Sequence, residues 1–71
     1  MIARIVPDVS GVDKVFDYRV PESIADRIRI GDVVRVPLNG RSVAGWVLEL
    51  LNDDESSHRD RKSLGRPGWL G

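Results

Sequence analysis

Cysteine is absent from this chain and histidine occurs once, at His58. No disulfide framework or thiolate metal site can brace the fold, and one imidazole far from any ligand cluster does not make a zinc centre. The missing cysteines fit a reducing compartment. Long apolar runs are also missing. Arg4 and then Pro7-Asp8 break the first stretch within a few residues, too soon for a signal peptide or a membrane span. The expectation is a cytoplasmic chain with no membrane partner.

Catalytic patterns are missing as well. No Gly-x-x-x-x-Gly-Lys-Ser/Thr loop occurs, and a single histidine without a nearby nucleophile gives no triad. The chain is therefore not expected to be an enzyme. An excess of charge of one sign is equally lacking, because 11 Lys and Arg balance 11 Asp and Glu. Non-specific affinity for DNA comes mainly from cations that neutralise phosphates. A neutral chain that binds DNA must do so locally and at few phosphates.

At 71 residues the chain makes at most one small domain, and a chain of this size buries only about 60% of the surface its unfolded form exposes. Four short apolar stretches bounded by turn residues predict a mainly all-β fold. Its form is a small twisted sheet or partly open barrel of about four strands. The first stretch is Ile2 to Val6, closed by Pro7-Asp8. The second, Lys14 to Val20, alternates so that Phe16, Tyr18 and Val20 share one face while Val15, Asp17 and Arg19 share the other. Pro21 ends it. Ser23 with Asp26 makes a weak capping pattern in front of Ile24 and Ile28, which predicts one or two helical turns ended by Gly31.

Val33 to Leu38 and Arg41 to Leu50 form the third and fourth stretches. Asn39-Gly40 joins them and is a strong signal for a two-residue hairpin turn. Beyond Leu51 the chain turns polar. The predicted division is a β-rich module over 1–51 and a charged, Gly- and Pro-containing tail over 52–71, read as disordered. Trp69 and Leu70 either dock on the barrel or stay exposed.

Three segments then carry a resemblance. Ala3 to Gly11 (ARIVPDVSG), Lys14 to Tyr18 (KVFDY) with Val20-Pro21, and Gly31 to Leu38 (GDVVRVPL) together resemble the start of the PriA (primosomal protein N′) family of replication-restart helicases, in a form like that of actinobacterial members. The likeness spans roughly residues 2 to 51 and includes Arg41 to Val47. Family members run to many hundreds of residues, so the expectation is a truncated or frame-shifted relative whose module is incomplete.

The resemblance implies a module that captures the 3′-hydroxyl end of the nascent leading strand at a stalled fork, for primosome assembly and replication restart. It implies DNA with 3′ ends, forked or single-stranded, as partner, together with primosome proteins or single-strand-binding protein. ATP and zinc would belong to other domains of the family, so no cofactor is expected in this chain. The implied end-binding residues are Phe16, Asp17, Tyr18, the turn Asn39-Gly40, and Lys62.

The residues fit such a task in separate ways. An aromatic ring stacks any base for about 1–3 kcal/mol, so Phe16 or Tyr18 could wall a pocket; both equally suit a core. Asp17 accepts hydrogen bonds only, which suits a 3′-hydroxyl and repels the phosphate of an internal nucleotide. The competing account of Asp17 is an ion pair with Arg19 or Arg35 across the sheet. Gly40 is explained by its turn alone. Arg4, Lys14, Arg19, Arg35 and Arg41 are candidate phosphate contacts, each also explicable as a solvated charge. The alternatives to DNA-end binding are a small β-barrel for protein interaction and a fragment without independent function.

Overall fold

A computed structural model of the chain describes residues 1–11, 13–52 and 62–70. His58 and the charged residues of 53–61 lie outside them. Four strands form: β1 (Ile2–Pro7), β2 (Phe16–Arg19), β3 (Val33–Leu38) and β4 (Arg41–Leu51), followed by one 3₁₀ turn at Gly68–Leu70. They make one antiparallel sheet in the order β2-β1-β4-β3. The apolar stretches read from the sequence are these strands to within a residue or two.

The predicted hairpin turn is present. Asn39 has φ 52° and Gly40 φ 78°, the positive values a type I′ turn requires at both central residues. Glycine supplies one without steric cost, and asparagine is among the few other residues that tolerate it.

Alternation along the strands sets the core. Tyr18 and Val20 of the second stretch, Ala3 and Ile5 of β1, Val34 and Val36 of β3, and Val47 of β4 are all buried in one cluster, with Phe16 packed at its edge. In register, Tyr18 faces Ala3 and Phe16 faces Ile5, so the aromatics share the inner face as the alternation predicts. A bulge in β4 shifts the β1 pairing between Arg4↔Glu49 and Ile5↔Val47, leaving Leu48 as the extra residue. Nearby, Gly45 has no room for a side chain. A Cβ there would lie 2.5 Å from Ile5 Cγ2 and 3.0 Å from the Val6 carbonyl oxygen.

Two expectations need correction. The helical turn predicted around Ser23 to Ile28 is instead a series of hydrogen-bonded turns, while the one helical turn among the described residues lies at Gly68–Leu70. Backbone bonds from Ile24 N to Pro21 O (3.1 Å), Ala25 N to Glu22 O (3.3 Å) and Arg27 N to Ile24 O (2.9 Å) span three residues, and the Ile28 N to Ile24 O bond (3.0 Å) spans four. So short a segment does not overcome the cost of helix nucleation. The spacing argument still places Ile24 and Ile28 together, both buried in the core.

The second correction concerns the tail, which from Lys62 to Leu70 is part of the fold. Arg19 N donates to Lys62 O and Leu64 N to Arg19 O, each at 3.0 Å; Gly65 N donates to Arg35 O at 2.6 Å, and Arg35 N to Arg66 O at 3.0 Å. One segment thus touches both edge strands, with Ser63 bridging Arg19 in parallel and Pro67 bridging Val34 antiparallel. Unpaired edge groups need partners, and the curled sheet obtains them by closing on this segment. Leu64 drops into the core at 3% exposure. Gly65 permits the approach, since a Cβ there would sit 3.0 Å from the Arg35 carbonyl oxygen.

Candidate nucleic-acid interface

Because β1 and β2 are antiparallel, Phe16 lies beside Ile5, toward the end of β1 where Pro7 stands. The tip of the β3–β4 hairpin lies beyond that same end, since Pro7 pairs with Gly45 and Asp8 N bonds Ala44 O at 2.8 Å, leaving residues 38–43 farther out. Tyr18 ties the two together: its hydroxyl donates to the Pro37 carbonyl at 2.8 Å. Burial raises the Tyr18 pKa above its ordinary value, because desolvation disfavours the phenolate.

A pocket of about 480 Å³ opens where the hairpin parts from the closing segment, lined by Arg35, Val36, Pro37, Gly40, Arg41, Ser42, Ser63 and Gly65. Its volume lies within the range of small-ligand sites. Among the described residues the lining includes two arginines and no acid. Arg35 is held in place by Ser42, with its Nη2 on the Ser42 carbonyl at 2.7 Å and its Nε on Oγ at 3.3 Å. Arg41 is exposed.

The predicted site residues distribute around this pocket rather than all within it. Gly40 lines it, and Asn39 is the other half of the same turn. Lys62 adjoins Ser63, and the parallel bridge of Ser63 to Arg19 runs Lys62 along the Tyr18 side of that residue on β2. Tyr18 supports the hairpin from beneath. At 5% exposure its ring presents no open stacking face, whereas Phe16 is half-buried at the start of β2. The structure therefore brings three segments distant in sequence to one end of the barrel.

Asp17 points to the outer face, as the alternation predicts, where Arg4 Nε donates to its Oδ1 at 3.2 Å. Arg4 also reaches Glu49 Oε1 through Nη1 at 3.1 Å. The row Asp17–Arg4–Glu49 crosses β2, β1 and β4 in register. Hydrogen bonding and charge from Asp17, then the charge of Glu49, raise the Arg4 pKa against its desolvation. Arg4, a candidate phosphate contact by sequence, is thus engaged with two carboxylates, and Arg35, a candidate partner of Asp17, is turned onto Ser42. The bulge at Leu48 sets the Glu49 register and left no mark in the alternation. Lys14 and Arg19 are exposed beside or on β2. Ser42, Ser63 and Gly65 are lining residues that the sequence did not single out. Ser42 was within reach of sequence reasoning, because a two-residue turn at Asn39-Gly40 pairs it with Pro37.

A small curled antiparallel sheet, closed on its last segment and hollowed at its hairpin end beside two arginines, has the form of a binding module. The family model of the PriA 3′DNA-binding domain (3′BD) matches residues 4–66, and the chain belongs to that family. It is similar to the probable replication restart protein PriA of Mycobacterium tuberculosis (strain H37Rv), 42% identical over 62 residues, and to that of Mycobacterium leprae, 40% identical over 62 residues. Replication restart protein PriA of Bacillus subtilis is 30% identical over 64 residues. Each match covers 87% of this chain and 8% of the relative. The matched region runs past Leu51 and takes in Lys62, Leu64 and Gly65 of the closing segment. Among the described residues no helix is long and apolar enough to cross a membrane.

Proposed function

We propose that this module recognises the 3′-hydroxyl end of a DNA strand at the hairpin end of the barrel, and that it serves replication restart in the cytoplasm by engaging the nascent leading strand of a stalled fork. The observation that carries this reading is convergence. The Tyr18 hydroxyl bond to Pro37, the pocket shared by Gly40 and Ser63 and the run of Lys62 along β2 gather the family's three motif segments within one small region.

In this reading Phe16 contacts the terminal base, and Tyr18 acts through the hairpin it supports. Gly40 leaves space at the rim, and Lys62 supplies positive charge beside the terminal nucleotide. Arg4, bonded to Asp17 Oδ1, orients that carboxylate to accept from the 3′-hydroxyl. A phosphate on that oxygen would meet a like charge. The work is recognition without chemistry, with primosome proteins or single-strand-binding protein as further partners, and ATP-driven unwinding and zinc binding belong to other parts of a PriA protein.

Fluorescence titration of this chain with strands ending in 3′-hydroxyl or 3′-phosphate tests the reading. The hydroxyl end should bind more tightly, and Asp17→Ala should abolish the preference. Equal affinity for the two ends in the unmutated protein would overturn it. One feature favours a second reading, a protein-interaction barrel: Val33 and Trp46, paired across β3 and β4, are 44% and 43% exposed on the outer face. No DNA binding at micromolar protein and low salt would favour that alternative.

A further inference from the structure

The hairpin tip carries a second hollow that end recognition leaves unused. Val9, Leu38, Asn39, Arg41 and Val43 enclose about 330 Å³. Directly paired residues of an antiparallel ribbon share a face. Leu38 with Arg41 and Val36 with Val43 therefore lie on one face, and Pro37 with Ser42 on the other. The two hollows flank the tip, and Arg41 lines both.

Arg41 also differs from Arg4 and Arg35 in how it is engaged. Arg4 is paired with Asp17 and Glu49 and Arg35 is bound to Ser42. Among the described residues, Arg41 is the one charged residue of the second lining. Three of the other four lining residues are aliphatic, a surface that takes the flat face of a base without reading its edge.

Resting on the end-recognition reading, we propose that this second hollow receives the penultimate base of the strand, with Arg41 on the phosphodiester that joins it to the terminal nucleotide. The linking phosphate of two successive nucleotides must lie between their sites, and Arg41 is the cation common to both. The module then reads a dinucleotide end: the hydroxyl on one side of the tip, a base of any identity on the other. The chain's neutral total charge suits an interface made through so few phosphates.

Anisotropy titrations with a labelled single strand of about ten nucleotides, within the usual range of single-strand sites, test this. An abasic residue at the penultimate position should weaken binding roughly ten-fold, in line with the loss of one base face buried on aliphatic side chains. The same lesion in mid-strand should have no effect. Arg41→Ala, on an exposed turn-flanking site, should reduce the slope of log affinity against log salt by about one and Arg41→Lys should restore it. Equal effects of the two abasic positions, or an unchanged slope in Arg41→Ala, would overturn the proposal. If the 3′-hydroxyl preference survives either result, the second subsite alone is wrong; if the preference is absent, the end-recognition reading falls and this inference with it.

Discussion

The two ends of the barrel are built on opposite principles. At one end the link from β2 to β3 folds across the sheet, placing Ile24 and Ile28 in the core at 3% and 1% exposure. Backbone bonds close it, from Val20 N to Met1 O at 2.9 Å, Gly31 N to Val47 O at 2.7 Å and Val47 N to Asp32 O at 2.9 Å. The Trp69 indole donates to Asp32 Oδ2 at 2.9 Å, and the Arg27 guanidinium stands 5.1 Å from its ring centre, within cation–π range. Among the described residues the hairpin end has no such plug. It keeps two hollows, one arginine shared between them, and a tyrosine bond that holds the ribbon in place. A domain this small cannot spare core for a deep cleft. Among the described residues packing is concentrated at one end, and the other keeps the hollows that the proposed DNA end would use.

Ile28→Ala should show the largest effect, at the plugged end. Truncating a fully buried isoleucine costs about 2–5 kcal/mol, comparable with the whole stability of a domain this size, and chemical denaturation should find the variant largely unfolded. Gly45→Ala, midway between the ends, should cost about 1–3 kcal/mol by overpacking against Ile5, read as a lower denaturation midpoint.

Tyr18→Phe probes the tie between core and hairpin, and should cost about 0.5–1.5 kcal/mol for the lost bond to Pro37. Its pH dependence sharpens the point. The folded-state Tyr18 pKa is raised by burial, so its contribution is full below the unfolded value of about 10 and is lost as pH rises through the folded value. The unmutated protein should therefore lose stability on alkaline titration from about pH 10, more steeply than Tyr18→Phe. Arg41→Ala should change stability by no more than about 0.5 kcal/mol while weakening DNA binding. A large loss of stability in that variant would break the division between the two ends.

Much of the fold was legible because its signals are local. Asn39-Gly40 needs only its own backbone to announce the hairpin, and the alternation of Phe16, Tyr18 and Val20 announces which face is buried. The candidate site was legible in part for the same reason: alternation separates Asp17 from the two aromatics whatever the strand pairs with. The Arg4 partner of Asp17 was not legible, because it depends on the β1–β2 register. Nor was the folding of Lys62 to Leu70, where Leu64, Trp69 and Leu70 fall among charged, glycine and proline residues without periodicity. Leu64 is buried because two edge strands leave a gap of the right width, and Gly65 matters because the Arg35 carbonyl stands where its side chain would be.

By itself, then, the sequence determined the strands, their turn, the inward and outward sets, and through its motifs the family. Those follow from backbone preferences and from a period of two, which act over a few residues. Tertiary structure alone decided that the barrel closes on its last segment, that one end is plugged and the other hollow, and that Arg41 rather than Arg4 is the arginine shared by both hollows. These depend on register and on contacts between residues tens of positions apart, where the geometry of the curled sheet, and no local preference, selects the partner.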